Sequence, residues 1–431
     1  MNNNSNKSIL IIGPVSPKGI GDASQYYSSV NMCNELAPHW NLTLMIPDIS
    51  NYVSVFKGLT FRTELIEQGD VGYLRLGGYI RYQQKGNVQL KHNDDNIFTK
   101  IISNISSYIP LFPIVDTELA VKRLKIKKFD GGIFGGHTFT LGAAHYIVKY
   151  NVIDKLVSGP KILSPISISK IGLNKLSKYM YHNIIYNFIK SLTKFDKIFV
   201  RGKYSYNILT EYYQINNVEK GLDTGFGLRK LYNKNNIFRN NDIVIIPRRG
   251  FFYSYNKSNL YKNYLKFLIK LINNFIKKGY KIVLSNQAME MSSINDLLSL
   301  IKEKKLLDNI QISIPNNIIE SYYLLSKSKL VITSYMHGGI TAFCSNTPCV
   351  FIMPKEDTKV LDILESIKLN IPEFFIDIFS IKDDNYHLHL NIITNLLENN
   401  LRYNNIISNN IEKEYKKIYK PTTYLKKMLN S

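Results

Sequence analysis

Arginine, histidine and glycine stand directly after short apolar runs at several places in this 431-residue sequence. The first is Arg201, which follows the run Lys197 to Val200 in a chain whose 55 basic residues include only ten arginines. A guanidinium binds a carboxylate or phosphate through two parallel hydrogen bonds, which a lysine ammonium does not do. Arg201 is therefore a candidate anion ligand, and the alternative is a structural ion pair with an acidic neighbour.

Two adjacent arginines, Arg248 and Arg249, follow the apolar run Ile243 to Pro247. Neighbouring side chains at the end of a strand point in different directions, so one should face a cleft and the other should face solvent. The sequence does not decide which of the two faces the cleft. Both are therefore candidate ligands for an anion.

A histidine turn follows the apolar run Leu330 to Thr333. His337 precedes two glycines, of which Gly338 is the first, and the small residues after them predict the start of a helix. An imidazole beside backbone N–H donors suits a bound anion and proton transfer near neutral pH. We predict a functional role for His337 and Gly338, with a structural histidine as the alternative. Lys355 and Lys359 either add positive charge to this site or are solvated.

A glycine-bearing loop, residues 13–22, follows the first apolar run and ends in Gly21 and Asp22. Its spacing differs from the dinucleotide motif GxGxxG and it lacks the GK[ST] of a P-loop, so nicotinamide and ATP sites are disfavoured. Asp22 either caps a helix that begins near Ala23 or acts as a base. The other histidines, His137 among them, lack the spacing of metal ligands, and we predict neither a metal nor a cofactor.

These segments need a framework that brings the ends of several strands together. Short aliphatic runs alternate with segments of helical period, which predicts parallel sheets covered by helices. The predicted strands are 9–13, 42–46, 72–76, 131–136, 161–166 and 197–200, and then 243–247, 281–285, 310–314, 330–333 and 349–353. The predicted helices of the second half are 259–278, 293–304 and 320–326. The repeat indicates an α/β protein with two doubly wound, Rossmann-like domains that face a cleft, where ligands are expected.

The domain boundaries follow from a polar stretch rich in Asn and Lys, residues 230–241. We predict an N-terminal domain over 1–230, a C-terminal domain over 231–385 and a basic helical extension over 386–431. The basic pattern of this extension, interleaved with Tyr and Ile, suits either an anionic membrane surface or packing across the back of the cleft. Packing is the favoured interpretation.

Composition excludes several classes of protein. A 45% hydrophobic content supports buried cores and argues against a mainly disordered chain. The formal net charge of +22 favours phosphates, acidic glycans or an anionic membrane face. Three cysteines are too few for a disulfide framework and are expected to be packing residues in a reducing compartment. The sequence shows neither a signal peptide nor a membrane span, so we predict a cytoplasmic protein, with peripheral contact at the inner membrane face left open.

Three segments in order, GPVSPKGIGDAS, FVRGKYSYNILTEYY with DTGFGL after it, and ITSYMHGGITAFCSNTPCVFIMPKEDTK, resemble the polysaccharide pyruvyltransferase family. That family has an early GNxGD-like loop, a VRD..S strand end, a DP.F.L segment, an SRLH turn and a G.P strand followed by lysine. The resemblance spans roughly residues 8 to 375. It implies a glycosyltransferase-B arrangement, phosphoenolpyruvate as donor and, as acceptor, a glycan or lipid-linked sugar of an exopolysaccharide or capsule.

The resemblance also implies roles for the residues singled out above. His337 and Asp22 would be catalytic, Gly21 and Asp22 would bind the acceptor on the N-terminal side, and the donor would lie on the C-terminal side. The donor ligands would be Arg201, Arg248, Arg249, His337, Gly338 and Lys359. Tyr335 stands where the family usually has Arg, so Arg248 or Arg249 would have to replace that charge. The hypothesis requires Arg201 and His337 to lie together, and carboxylates crowding them would count against it.

The sequence is also compatible with two other functions. The stretch HGGITAFCSNTPCVFIMP also resembles nucleotide-sugar glycosyltransferases, although a carboxylate for the donor ribose is missing near Cys344. A non-enzymatic glycan- or nucleic-acid-binding module would use the +22 charge. Its lysines are spread along the chain and no nucleic-acid-binding motif occurs, so no nucleic acid is expected as a partner.

Overall fold

A computed structural model gives the fold. It describes residues 6–12, 19–46, 57, 64–67, 128–135, 138–140, 156–169, 189–232, 239–254, 257–287, 291–301 and 304–431. The strands of this part of the chain form two sheets, and every strand pairs in parallel with its neighbours. The predicted strand at 72–76, the loop at 13–18 and His137 lie outside the described residues.

The first sheet has the strand order β3-β2-β1-β4-β6-β7-β8, with β5 paired to β6. Its inner strands are rich in Ile, Leu, Val and Phe and are buried on both faces, because helices cover both sides of a parallel sheet. Its strands are β1 (Ser8–Ile12), β2 (Asn41–Ile46), β3 (Glu64–Glu67), β4 (Gly131–Phe134), β5 (Thr138–Thr140), β6 (Lys161–Ser169), β7 (Lys197–Val200) and β8 (Val218–Lys220).

The second sheet has the order β11-β10-β9-β12-β13-β14. Every residue of its central strands β12 and β13 is buried. Its strands are β9 (Asp242–Ile246), β10 (Lys281–Leu284), β11 (Ile310–Ile312), β12 (Leu330–Thr333), β13 (Cys349–Met353) and β14 (Phe375–Asp377). The strands of the first sheet thus end at Lys220 and those of the second begin at Asp242, and the domain boundary at 230 stays a prediction.

The helices pack on these sheets through apolar stripes, as α4 does by burying seven residues that recur at helical spacing. The helices are α1 (Ile20–Leu36), α2 (Lys203–Asn207), α3 (Gly250–Ser254), α4 (Ser258–Lys277), α5 (Ser292–Leu300), α6 (Lys304–Leu307), α7 (Ile318–Lys327), α8 (Met336–Cys344), α9 (Lys359–Ser366), α10 (Ile371–Phe374), α11 (Tyr386–Glu398), α12 (Asn400–Glu414) and α13 (Lys420–Asn430). Ile208–Tyr212 continues α2 as a π-helix, and Thr224–Leu231 and Tyr415–Tyr419 are 3₁₀ helices.

The C-terminal extension returns to the first sheet. Helix α13 packs against α1, β4 and β6, where Leu425 is fully buried and Thr422 lies 3.7 Å from the thiol of Cys33. The ammonium of Lys426 donates to the carbonyl of Leu36 at 2.5 Å. Packing therefore uses the apolar face of the extension. Among the helices of the described ranges, none has the length and apolar character needed to cross a bilayer.

In each sheet the chain adds strands first on one side of the first strand and then on the other side. β1 therefore lies between β2 and β4, and β9 lies between β10 and β12. Such a switch point opens a crevice at the carboxyl ends of the strands, where α/β proteins bind ligands. The connections after β1, β9 and β12 carry Asp22, Arg248 and His337 respectively. The topology therefore places three of the candidate residues at switch points.

Candidate active site

Helix α1, which follows β1, and helix α8, which follows β12, meet at their N-terminal ends. The backbone N–H of Ile20, at the start of α1, donates to the carbonyl of Gln287, which follows β10, at 3.2 Å. A Cβ atom on Gly21 would overlap the side chain of His337 at the start of α8. The absence of a side chain at Gly21 therefore permits the close approach of the two halves of the molecule.

His337 is largely buried at this junction. Its Nδ1 lies 3.9 Å from an oxygen of Asp22, and its Nε2 is buried without a hydrogen-bond partner. Burial lowers the pKa of His337 from 6.5 to about 4. The negative charge of Asp223 opposes this shift, and the positive charges of Arg201 and Lys359 add to it. The imidazole is therefore neutral at pH 7.

Arg201 directly follows β7 and is completely buried. Its Nε is paired with the carboxylate of Asp223, and its Nη1 lies 3.9 Å from the sulfur of Met336, next to His337. The amide of Gln25 on α1 donates to both oxygens of Asp223 at 3.0 Å, which fixes the carboxylate against the arginine. The structural alternative for Arg201, an ion pair with an acidic neighbour, is therefore present in the molecule.

The two adjacent arginines after β9 separate. The guanidinium carbon of Arg248 lies 4.3 Å from the ring centre of Phe251 and 4.8 Å from that of Tyr335. Arg249 turns the other way and reaches Asp296 on α5 at 3.4 Å. Arg248 thus faces the junction, stacked on the tyrosine that occupies the family's arginine position. Arg248 therefore stays a candidate anion ligand, whereas Arg249 contacts Asp296.

Lys359 begins α9, after β13, and its ammonium lies 2.7 Å from the buried carboxylate of Asp357. Burial lowers the pKa of Lys359, Asp357 opposes this shift, and the nearby charges of Arg248 and Arg201 add to it. These electrostatic couplings place Lys359 in the same group of cations as the two arginines. Lys355, by contrast, is exposed.

Carboxylates accompany most of these cations. Asp223 pairs with Arg201 and Asp357 pairs with Lys359, whereas no ion pair within the described ranges involves Arg248. Arg201 and His337 are therefore neighbours, as the donor hypothesis requires, but Asp223 on the Nε of Arg201 and Asp22 beside His337 are carboxylates of the kind that count against it. Arg248 is the cation best placed to meet an anion directly.

The turn before α8 is held by Thr333. Its hydroxyl accepts a hydrogen bond from the backbone N–H of Tyr335 at 3.0 Å and donates to the carbonyl of the same residue at 3.2 Å. A Cβ on Gly338 would lie 2.9 Å from this hydroxyl. Gly338 therefore has a packing role in the turn that presents His337.

Sequence reasoning missed the acidic partners of the cations. Asp223 lies within the segment DTGFGL, where its carboxylate also accepts the N–H of Gly225 at 2.7 Å, and Asp357 stands two residues before Lys359. Nothing local in the sequence signals that Asp223 pairs with Arg201, because the contact joins two separate connections of the sheet. Among the described residues, no three side chains of His, Cys, Asp or Glu form a group that could hold a metal ion.

A protein-family model described as polysaccharide pyruvyl transferase matches residues 20–356 of this chain. No curated protein sequence gives a match. Solved structures with a similar fold include TarM, with a TM-score of 0.56 and 13% identity over 100% of this chain and 99% of TarM. The complex of Staphylococcus aureus MnaA with UDP has a TM-score of 0.52 and 15% identity over 93% and 90% of the two chains.

A putative UDP-N-acetylglucosamine 2-epimerase from Listeria monocytogenes has a TM-score of 0.51 and 13% identity over 94% and 91% of the two chains. At these identities the likeness shows the fold alone. The fold prediction, an α/β protein with two Rossmann-like domains arranged as in glycosyltransferase-B enzymes, is confirmed.

Proposed function

Because this chain belongs to the polysaccharide pyruvyl transferase family, and so is a transferase that acts on polysaccharide, we propose that it transfers a pyruvyl group from phosphoenolpyruvate. The acceptor would be a sugar of a surface glycan or of its lipid-linked precursor, and the product a pyruvate ketal. An exopolysaccharide or a capsule is the expected destination. The proposal extends the family assignment to the donor, the acceptor and the residues that carry the reaction.

The observation that carries the proposal is Arg248, which has no ion pair among the described residues, together with the neutral histidine and two further cations at the junction of α1 and α8. Phosphoenolpyruvate brings a carboxylate and an ionised phosphate close together, with roughly three negative charges. Arg248, stacked between Phe251 and Tyr335, would bind one of these groups through two hydrogen bonds. Lys359 would bind the other, with Arg201 held behind the site by Asp223.

The reaction balances without water or a redox partner. A proton adds to the methylene carbon of phosphoenolpyruvate, and the resulting cationic carbon accepts one sugar hydroxyl. The bond from this carbon to the phosphate oxygen then breaks, phosphate leaves, and a second hydroxyl forms the other C–O bond. Two hydroxyl protons are released in total, so one replaces the proton taken up by the methyl group and the other leaves with hydrogen phosphate.

His337 is suited to supply the first proton, provided that the donor raises its pKa. In the free protein this pKa is about 4, so the imidazole carries no proton to give at pH 7. A trianion beside it would favour the protonated form, so donor binding itself would charge the acid. Asp22, 3.9 Å from His337 and one-third exposed, is placed to take the proton of a sugar hydroxyl.

Tyr335 is consistent with this donor despite the lost family arginine. Its ring supports the guanidinium of Arg248, so the charge reaches the site from β9 instead of from the turn after β12. Arg249 does not contribute, because it pairs with Asp296. Membrane contact, if the acceptor is lipid-linked, would use the lysines of the C-terminal extension, since its apolar face is buried.

Thermal-shift measurements with phosphoenolpyruvate and with UDP- and GDP-sugars distinguish this function from nucleotide-sugar glycosyl transfer. The proposal expects stabilisation by phosphoenolpyruvate, since any ligand that binds only the folded state stabilises it. Stabilisation by nucleotide sugars alone would instead favour the glycosyltransferase interpretation. A second measurement, the release of phosphate from phosphoenolpyruvate only when a sugar acceptor is present, tests transfer itself.

A further inference from the structure

A groove of about 730 Å³ runs along α2, next to the cations but separate from them. One wall is the first turns of the segment that follows β7, and the other is the connection from β13 into α9. Lys203 stands two residues after Arg201, and Thr358 directly precedes Lys359, so the groove adjoins the backbone next to two of the candidate donor ligands. It is lined by Lys203, Tyr204, Asn207, Ile208, Glu356, Thr358 and Glu365.

The two walls are locked together by carboxylates of α9. Asp362 accepts the backbone N–H groups of Tyr204 at 2.9 Å and Ser205 at 3.2 Å, and Glu365 accepts that of Lys203 at 3.0 Å. A Cβ on Gly202 would lie 2.6 Å from the backbone of Asp362, so the walls are in tight contact. The groove is therefore formed before any ligand arrives, and its volume is in the range of small-molecule sites.

The charges of the lining disfavour an anion. Glu356 and Glu365 are balanced by Lys203 and by Lys220, whose ammonium lies 3.8 Å from Glu365, so a phosphate would meet no net positive charge. The polyanionic donor should go to the arginines and Lys359, and the groove should take an uncharged ligand.

The remaining groups match a sugar. Tyr204 is 39% exposed and Ile208 lies four residues further along the same segment, which gives an apolar floor for the C–H face of a pyranose. Within the part of the chain that the structure describes, no residue is hydrogen-bonded to the side chains of Lys203, Asn207 or Glu356. An ammonium, an amide and a carboxylate together can donate to and accept from a ring of hydroxyls.

We propose that this groove binds an uncharged sugar unit of the acceptor, with its ring against Tyr204 and its hydroxyls on Asn207 and Glu356. The inference rests on the proposed function, which it deepens by assigning an acceptor subsite outside Gly21 and Asp22. The acceptor's reacting hydroxyls would extend from this subsite towards His337.

Saturation-transfer NMR on the full chain tests the proposal with methyl glycosides of glucose, galactose, mannose and their 2-acetamido forms. Each glycoside is measured with and without phosphoenolpyruvate. At least one should bind the wild type, lose at least fivefold in affinity in Tyr204→Ala and bind Tyr204→Phe as well as the wild type. The control is Tyr212→Ala, a 64% exposed tyrosine on the same segment and outside the groove, which should bind as the wild type does.

The proposal is overturned if no glycoside of the panel binds the wild type, or if Tyr204→Ala binds as tightly as the wild type. Affinity for phosphoenolpyruvate, measured in parallel, should be unchanged in all three variants. Glycoside binding that depends on Tyr204 in a protein that does not bind phosphoenolpyruvate would support the groove and contradict the proposed donor. The two failures are thus distinguishable.

Discussion

At the scale of single residues, burial and not sequence neighbourhood sets the chemistry of His337. Its pKa of about 4 differs from the ordinary value chiefly because the imidazole has left water, and two nearby cations add to the shift. Burial shifts the pKa of Asp362, on α9, in the other direction and raises it to about 6. In both residues burial disfavours the charged form, so it keeps His337 unprotonated and favours the protonated form of Asp362.

We predict that His337→Gln changes how stability depends on pH. Between pH 6.5 and 4 the unfolded wild-type chain takes up a proton that the folded site refuses, so stability falls as the pH falls. The variant lacks this loss and should gain up to about 3 kcal/mol relative to the wild type between pH 7.5 and 4. Urea unfolding at several pH values measures this difference, in which Asp362 cancels because both proteins contain it. A pH-independent difference would mean that His337 titrates normally.

The partnership of Arg248 and Tyr335 gives a rescue experiment. Arg248→Met should raise the KM for phosphoenolpyruvate at least tenfold, because a charge-assisted bond is worth about 1.5 to 3 kcal/mol. Adding Tyr335→Arg to that variant returns a cation to the same place and should recover part of the loss in steady-state assays. A double variant no better than Arg248→Met would show that Tyr335 marks a pocket rebuilt for another donor.

At the scale of elements, the central strands and the edge strand β11 could be predicted, whereas the edge strands β8 and β14 could not. The predicted bounds of β7, β12 and β13 are those observed, because strands buried on both faces read as unbroken apolar runs. β8 and β14 are three residues long and half-buried at sheet edges, so they leave no such run. Helix α1 begins at Ile20, three residues before the expected start, and this brings Gly21 into its first turn.

The junction of α1 and α8 predicts opposite results for two glycines of one turn. Gly21→Ala should reduce transfer at least tenfold, because the new methyl group would displace the imidazole of His337. At Gly19 an added Cβ meets nothing closer than 3.5 Å, so Gly19→Ala should stay within a few-fold of the wild type. Turnover at saturating substrate measures both, and equal activities would show that the two helices do not meet as described.

At the scale of the whole molecule, the site depends on contacts between distant parts of the chain. Two Rossmann-like domains and the candidate residues near their cleft could be predicted from the sequence, because the end of a buried strand is recognisable as the end of an apolar run. The contact of Arg248 with Tyr335, and of Arg249 with Asp296, was not predictable, because Tyr335 follows a different strand, β12. The same is true of Asp223, which reaches Arg201 across the end of the sheet.

The return of α13 to the first sheet predicts that the extension stabilises the N-terminal half. Leu425 is fully buried, so Leu425→Ala should lower the free energy of unfolding by about 2 to 5 kcal/mol. Leu401 is 80% exposed, and Leu401→Ala should change it by less than about 0.5 kcal/mol. Urea titration followed by circular dichroism compares them; equal midpoints would mean that α13 is not docked.

Calorimetric titration of phosphoenolpyruvate into three proteins tests the central claim most directly. We expect the wild type to bind, Arg248→Met to lose at least tenfold in affinity, and Arg249→Met to bind like the wild type, because Arg249 pairs with Asp296. Equal affinity of the wild type and Arg248→Met, or no binding to the wild type, would contradict a donor site at the meeting of α1 and α8.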